Sequence, residues 1–158
     1  MRRLNVMLLI SALLLVFSVG TPYAAGISGP EAEKELKKFQ GTWVMVSGEK
    51  DSKKIPDEHV NQSKIVYDGN TMKLVTPHQT AEVIVAEIVK LDPSGNPKQM
   101  HFIRKNGPSA GKTIVGIYEF DGEDIYKFAF DPTGGVTLGD FATEDGTGHM
   151  RHTWKRVK

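Results

Sequence analysis

"KKFQGTWVMVS", residues 37–47, decides how the chain is read. A charged run ends in Phe39, Gly41 follows, and Trp43 opens an apolar stretch two residues later. The period of the hydrophobic pattern changes here. Upstream, "SGPEAEKELKKFQG" (28–41) reads as one short helix, with Pro30 suited to its first position and Ser28 or Gly29 to its cap. Glu31 and Glu33 fall in the first turn and Lys37 and Lys38 in the last, which complements the helix dipole. Ala32, Leu36 and Phe39 share one apolar stripe, and Gly41 is a natural stop. Beyond Gly41 the spacing drops from near 3.6 to 2 and stays there.

Strands are expected at 41–50, 63–68, 70–76, 80–91, 98–105, 113–121, 124–131 and 148–157. Asp-Gly in "YDGNT" and "FDGED" is the strongest short hairpin signal. "DPSGNP", "KNGPSAGK" and "DPTGG" are longer turns, and "IPDEHVNQ" holds a helical turn between the first two strands. Alternation assigns the faces. Met72 with Leu74, Met100 with Phe102, Ile114 with Gly116, Tyr118 and Phe120, and Tyr126 with Phe128 and Phe130 point one way; Thr71, Lys73, Glu119 and Lys127 point the other. One dry and one wet face over about eight antiparallel strands means an all-β barrel or sandwich. "TAEVIVAEIVKL" (80–91) is apolar on both faces, so a cover is expected on its second face, with the N-terminal helix as the candidate.

An up-and-down barrel needs a plug at one end. A helix that stops at glycine and enters a strand through Gly41-x-Trp43 supplies one, with the indole on the floor. The last strand closes beside the first, and its Arg156 is placed to stack a guanidinium on that indole. With these residues assembled, the chain resembles the lipocalin-type barrel. More closely, it resembles a family of exported lipocalin-like domains abundant in planctomycete bacteria. The resemblance rests on "LKKFQGTWVMVSGEKDSKKIP", "GIYEFDGEDIYKFAF" and "DFATEDGTGHMRHTWKRVK" in that order and covers residues 36–158. It implies structural roles in barrel closure for Gly41, Trp43 and Arg156, and no known activity. It departs where the family carries Arg-Pro before a phenylalanine; here Thr137-Leu138-Gly139-Asp140-Phe141 stands instead.

Residues 1–26 read as a secretory signal peptide, leaving 27–158 as the barrel domain. "MRRLN" is a basic n-region, Val6–Gly20 an apolar h-region short for a membrane span, and "TPYAAG" a small-residue cleavage region. Cleavage after Gly26 fits, with Ala25 a close rival and an uncleaved anchor the alternative. The leader takes Arg2 and Arg3 and no acid, so 20 basic and 19 acidic side chains become 18 and 19, net −1. That balance gives no electrostatic reason to bind nucleic acid or anionic lipid. With no cysteine, a lipobox anchor and disulfides are excluded. An exported domain of this size holds itself by its core alone. The expected location is the periplasm or the outside of the cell, with no membrane association after cleavage.

Chemical motifs are sparse. "NGPSAGKT" (106–113) has three residues between its glycines where a phosphate loop needs four, and a strand-like segment follows where that motif needs a helix. His149 and His152 fall on opposite faces of a strand, His59, His78 and His101 are scattered, and no metal site is expected. No nucleophile elbow is present, and Glu123-Asp124 and Glu144-Asp145 fall in turns. The expectation is a non-catalytic, monomeric, cofactor-free domain that binds a small, mostly apolar molecule in the barrel. The alternative is a structural or interaction module with a filled core. Lumenal candidates are Met100, Phe102, Tyr118, Tyr126, Phe128 and Phe130, with Gly116 as the source of space and His152 as the inward polar group. A pocket, if formed, opens at the end away from Trp43.

Overall fold

A computed structural model describes residues 27–76 and 83–158. The leader read at residues 1–26 and His78 lie outside the described residues. Helix α1 (Pro30–Phe39) precedes a sheet whose principal strands are β1 (Gly41–Lys50), β3 (Lys64–Asp68), β4 (Thr71–Val75), β5 (Ile84–Asp92), β6 (Lys98–Arg104), β7 (Thr113–Asp121), β8 (Ile125–Phe130) and β9 (Met150–Arg156). A two-residue β2 (Lys53–Lys54) and a short helix α2 (Asp57–Gln62) lie between β1 and β3. Neighbouring strands pair antiparallel in chain order, and β9 returns to pair with β1. The eight strands therefore close an up-and-down barrel with no free edge. Among the described residues no helix is long and apolar enough to cross a membrane.

The closing seam pairs Trp43 with Arg156 and Met45 with Trp154, then shifts register so that Ser47 meets Thr153. Val46 is the extra residue of this bulge and is 47% exposed. After the shift, inward-facing Gly48 lies opposite His152. A side chain at Gly48 would meet Ile55 Cδ1 at 2.7 Å, so its absence lets the segment before α2 fold over the strand.

At the other end, α1 lies across the barrel. Ala32, Leu36 and Phe39 are buried, as the stripe requires, and Gly29 takes the cap position without a side-chain hydrogen bond. Gly41 has φ of 102°, the left-handed region that favours glycine, so the chain turns from helix to strand in one residue. Phe39 is the hub of the floor, with its ring centroid 4.8–5.3 Å from those of Tyr67, Tyr118, Phe120 and Tyr126. Trp43 packs edge-on against Tyr126 at 4.8 Å and donates its indole N–H to the Phe39 carbonyl at 2.6 Å. The Arg156 guanidinium stands 4.2 Å from the indole centroid, as the seam predicted. It also donates to the carbonyls of Gln40 (2.6 Å) and Lys38 (2.7 Å), which fastens α1 to the last strand.

The doubly apolar segment differs from expectation. Helix α1 caps the barrel end instead of covering the outer face of β5, where Val85 and Val89 are half-buried and Val83 is 38% exposed. The covered outer wall belongs to β7 and β8. There Ile117 and Ala129 are fully buried beneath Leu138 and Phe141 of the long 131–149 connection. That connection begins in a turn organised by Asp131, whose carboxylate accepts from the backbone N–H groups of Thr133, Gly135 and Val136. It is held further along by Thr143, which bonds Ser52 and Glu49, and by Arg151, which bridges Glu49 (2.7 Å) and the Phe141 carbonyl (3.2 Å).

Candidate functional site

The barrel interior fills from the α1 end upward. Met100 and Tyr118, from adjacent strands β6 and β7, are 0% and 1% exposed and border neither lumenal cavity. Gly116 sits one inward step above Tyr118, and the space it was expected to leave is taken. A Cβ there would lie 2.1 Å from the Phe128 ring, so that ring occupies the volume the glycine vacates. Packing an aromatic from the next strand over a glycine is a recurrent way to restore a sheet's dry face. Met100, Gly116 and Tyr118 therefore belong to the packed floor and not to a pocket.

Space begins beyond this layer. An inner cavity of about 50 Å³ is bounded by Phe102, Tyr126, Phe128, Phe130 and His152 among the expected residues. Since one water takes roughly 30 Å³ in the liquid, this volume suits a methyl-sized group or a water molecule, not a whole ligand. It adjoins a cavity of about 310 Å³ at the open end and shares with it Leu74, Ile84, Arg104, Phe130 and His152. Met45, Ile55, Pro132 and Met150 extend the outer walls, and Thr76 lines the rim. Alternation brought five of the eight candidates to this space. The structure also places Ile84 and Ala86 inward on β5, and one further step from Phe102 reaches Arg104, a lumenal cation that the sequence reading overlooked.

His152 is 6% exposed and held edge-on by Phe130 at 5.6 Å and Trp154 at 5.7 Å. Burial lowers its pKa to about 4, so it is neutral at pH 7, with one ring nitrogen as donor and the other as acceptor. The Tyr67 and Tyr126 hydroxyls bond each other at 2.9 Å, and burial pushes both above the ordinary tyrosine range. Burial likewise lowers the pKa of the half-buried Arg104.

Two other polar features lie at the closed end. Glu35 of α1 is 4% exposed and pairs with Lys98 (2.9 Å) and Lys38 (2.7 Å). Burial alone would raise its carboxyl pKa, but the two lysines outweigh that and hold it below the usual range. The Tyr118 hydroxyl is buried nearby without a hydrogen-bond partner, and burial, then the Glu35 charge, push it up. A hollow of about 480 Å³ lies outside this end, between α1 and the β7–β8 turn. Of its three cations, Lys38 holds Glu35 and Arg156 holds the carbonyls of Lys38 and Gln40, which leaves Lys37, so the hollow is the outer surface of the closure.

The residues that tempted other readings are also placed. Residues 105–112 connect β6 to β7, and Thr113 begins a strand, so no helix follows Lys112-Thr113. His149 precedes β9 and His152 faces the lumen. Among the described residues no three His, Asp or Glu side chains stand together as a cation would need. Comparison with protein-family models, with curated proteins and with solved structures finds no match to this chain.

Proposed function

We propose that this domain is an exported, non-catalytic binder that holds one small, mostly apolar molecule in the open half of its barrel. The observation that carries the reading is the cavity of about 310 Å³ at the mouth, at the lower end of the size range of ligand sites. Just over half of its lining residues are apolar, and the rest, Lys50, His59, Ser63, Thr76, Arg104 and His152, are polar groups that can orient a ligand. Export to the periplasm or beyond rests on the n-region, h-region and small-residue order of residues 1–26. A closed barrel leaves no strand edge for pairing with a second copy, which supports a monomer.

The test is uptake of Nile red, a neutral environment-sensitive dye. The purified 27–158 domain should enhance its fluorescence saturably, and Ala86→Phe, which fills the inner cavity beside the mouth, should weaken uptake while the fold survives by circular dichroism. No uptake by the wild type would favour the second reading, an interaction module with a filled core. That reading draws on the packed lower half of the lumen, where Gly116, Phe128, Met100 and Tyr118 leave no space. Export is checked separately: the mature N-terminus should begin near Gly26 or Ile27, and exported material that starts at Met1 would favour an anchor.

A further inference from the structure

We infer that the molecule held at the mouth is a small amphipathic carboxylate whose head pairs with Arg104 and whose apolar body lies against the walls around Leu74, Ile84 and Phe130. This rests on the binding reading above and names the ligand's chemical class. Arg104 ends β6 on the same inward face as Met100 and Phe102, and it lines both the inner and the mouth cavity. Across the β5–β6 pair it faces Ala86, whose small side chain leaves the guanidinium room inside the barrel.

The three arginines of the described chain differ sharply. Arg156 is spent on carbonyls, on Asp124 and on the Trp43 ring. Arg151 is spent on Glu49 and the Phe141 carbonyl. The Arg104 side chain has neither a hydrogen bond nor an ion pair with any described residue, although it is half-buried and desolvated. A charge withdrawn from water without a partner is costly and marks a place where a counter-ion arrives from outside. Among the described residues, neither cavity has an Asp or Glu in its lining; the charged or titratable groups there besides Arg104 are Lys50, His59, His152 and the two buried tyrosines.

The head group follows from that set. A guanidinium presents paired N–H donors in a fixed fork that matches the two oxygens of a carboxylate. His152, neutral and aimed at the same space, adds a single ring N–H at most. A phosphate monoester carries nearly a second charge and would call for a second fixed cation at the depth of Arg104, whereas Lys50 stands exposed at the rim. Where the two cavities meet, one cation, one neutral donor and the apolar walls of Leu74, Ile84 and Phe130 fit a monoanion with an apolar body.

The experiment compares decanoate with decanol, which share a chain length and differ in charge. Each is titrated by Nile red displacement into wild type, Arg104→Met and Arg104→Lys, and each variant's thermal midpoint is measured without ligand. Wild type should prefer decanoate over decanol by about tenfold or more, a preference that added salt weakens little at a half-buried pair. Arg104→Met should lose the preference and keep decanol binding, and Arg104→Lys should retain part of it. Unliganded Arg104→Met should melt no lower than wild type, because it removes a charge that has no partner. Equal binding of the two ligands by wild type would overturn the carboxylate inference and leave the pocket reading standing. Failure of both to bind would overturn both. A marked fall in the melting point of unliganded Arg104→Met would show that the guanidinium is structural and would also overturn the inference.

Discussion

The two ends of this barrel are built on opposite uses of the same side-chain types. At the closed end an arginine, three tyrosines and a tryptophan sit in contact with Phe39 or with one another, and apart from the Tyr118 hydroxyl their polar groups are satisfied within the chain. At the open end an arginine, an imidazole and a phenylalanine surround empty volume, and the arginine side chain has no partner among the described residues. The difference shows that aromatic content does not distinguish a pocket from a packed core. What distinguishes them is whether the charged groups among the rings have been answered by the protein.

The largest expected effect lies at the closed end. Trp43→Ala removes a fully buried indole, its ring contacts and a hydrogen bond, and should cost about 3–5 kcal/mol in urea denaturation. Leu74→Ala at the mouth should cost clearly less, because Leu74 already borders space. Equal costs would remove the contrast between the ends.

Next comes His152, which belongs to the open half but is buried. Its folded pKa of about 4 lies below the ordinary 6.5, so the unfolded chain takes up this proton first as pH falls. The stability tied to the neutral ring is fully present above about pH 6.5 and is lost progressively down to about pH 4, by roughly 3 kcal/mol in total. His152→Phe should flatten the stability profile in that window relative to wild type. An unchanged slope would mean that the ring is solvated and that the mouth reaches deeper than described.

Gly116→Ala probes the boundary between the halves. The added carbon meets the Phe128 ring, and a cost of about 1–3 kcal/mol is expected. Adding Phe128→Leu should recover part of the loss, since the two compete for one volume. A neutral Gly116→Ala would show that the packed layer has slack. The smallest effect is the coupling of Trp43 and Arg156. A double-mutant cycle to alanine should return about 0.5–2 kcal/mol of interaction, and additive costs would break the stacking account.

Most of the architecture was legible because it is written in local periodicity. The turns at "YDGNT" and "FDGED", the helix stop at Gly41 and the inward rows of β6, β7 and β8 all follow from spacing within ten residues. The Trp43–Arg156 contact was legible across 113 positions because barrel closure dictates that the first and last strands meet. What was hidden depends on side-chain volume and on non-local loops. Gly116 reads as space until the reach of Phe128 from the next strand is known. The cover over Ile117 and Ala129 comes from Leu138 and Phe141 in a connection with no periodic signal, whereas the valines of β5 suggested α1 as an outer cover and α1 caps the barrel end instead. Arg104 stood one alternation beyond Phe102, but a charge at a strand end looks like a rim residue until its neighbours prove to be apolar.

The seam between β1 and β9 also sets how the domain can be held. Helix α1 crosses the closed end and β9 finishes there, so the polypeptide enters and leaves the described domain on one side, with the mouth on the opposite side. Anything joined before Ile27 or after Lys158, whether a fusion partner, an affinity tag or a surface attachment, is tethered at the plug, with the opening pointing away from it. Immobilising the domain through either terminus should leave solute access to the mouth unobstructed.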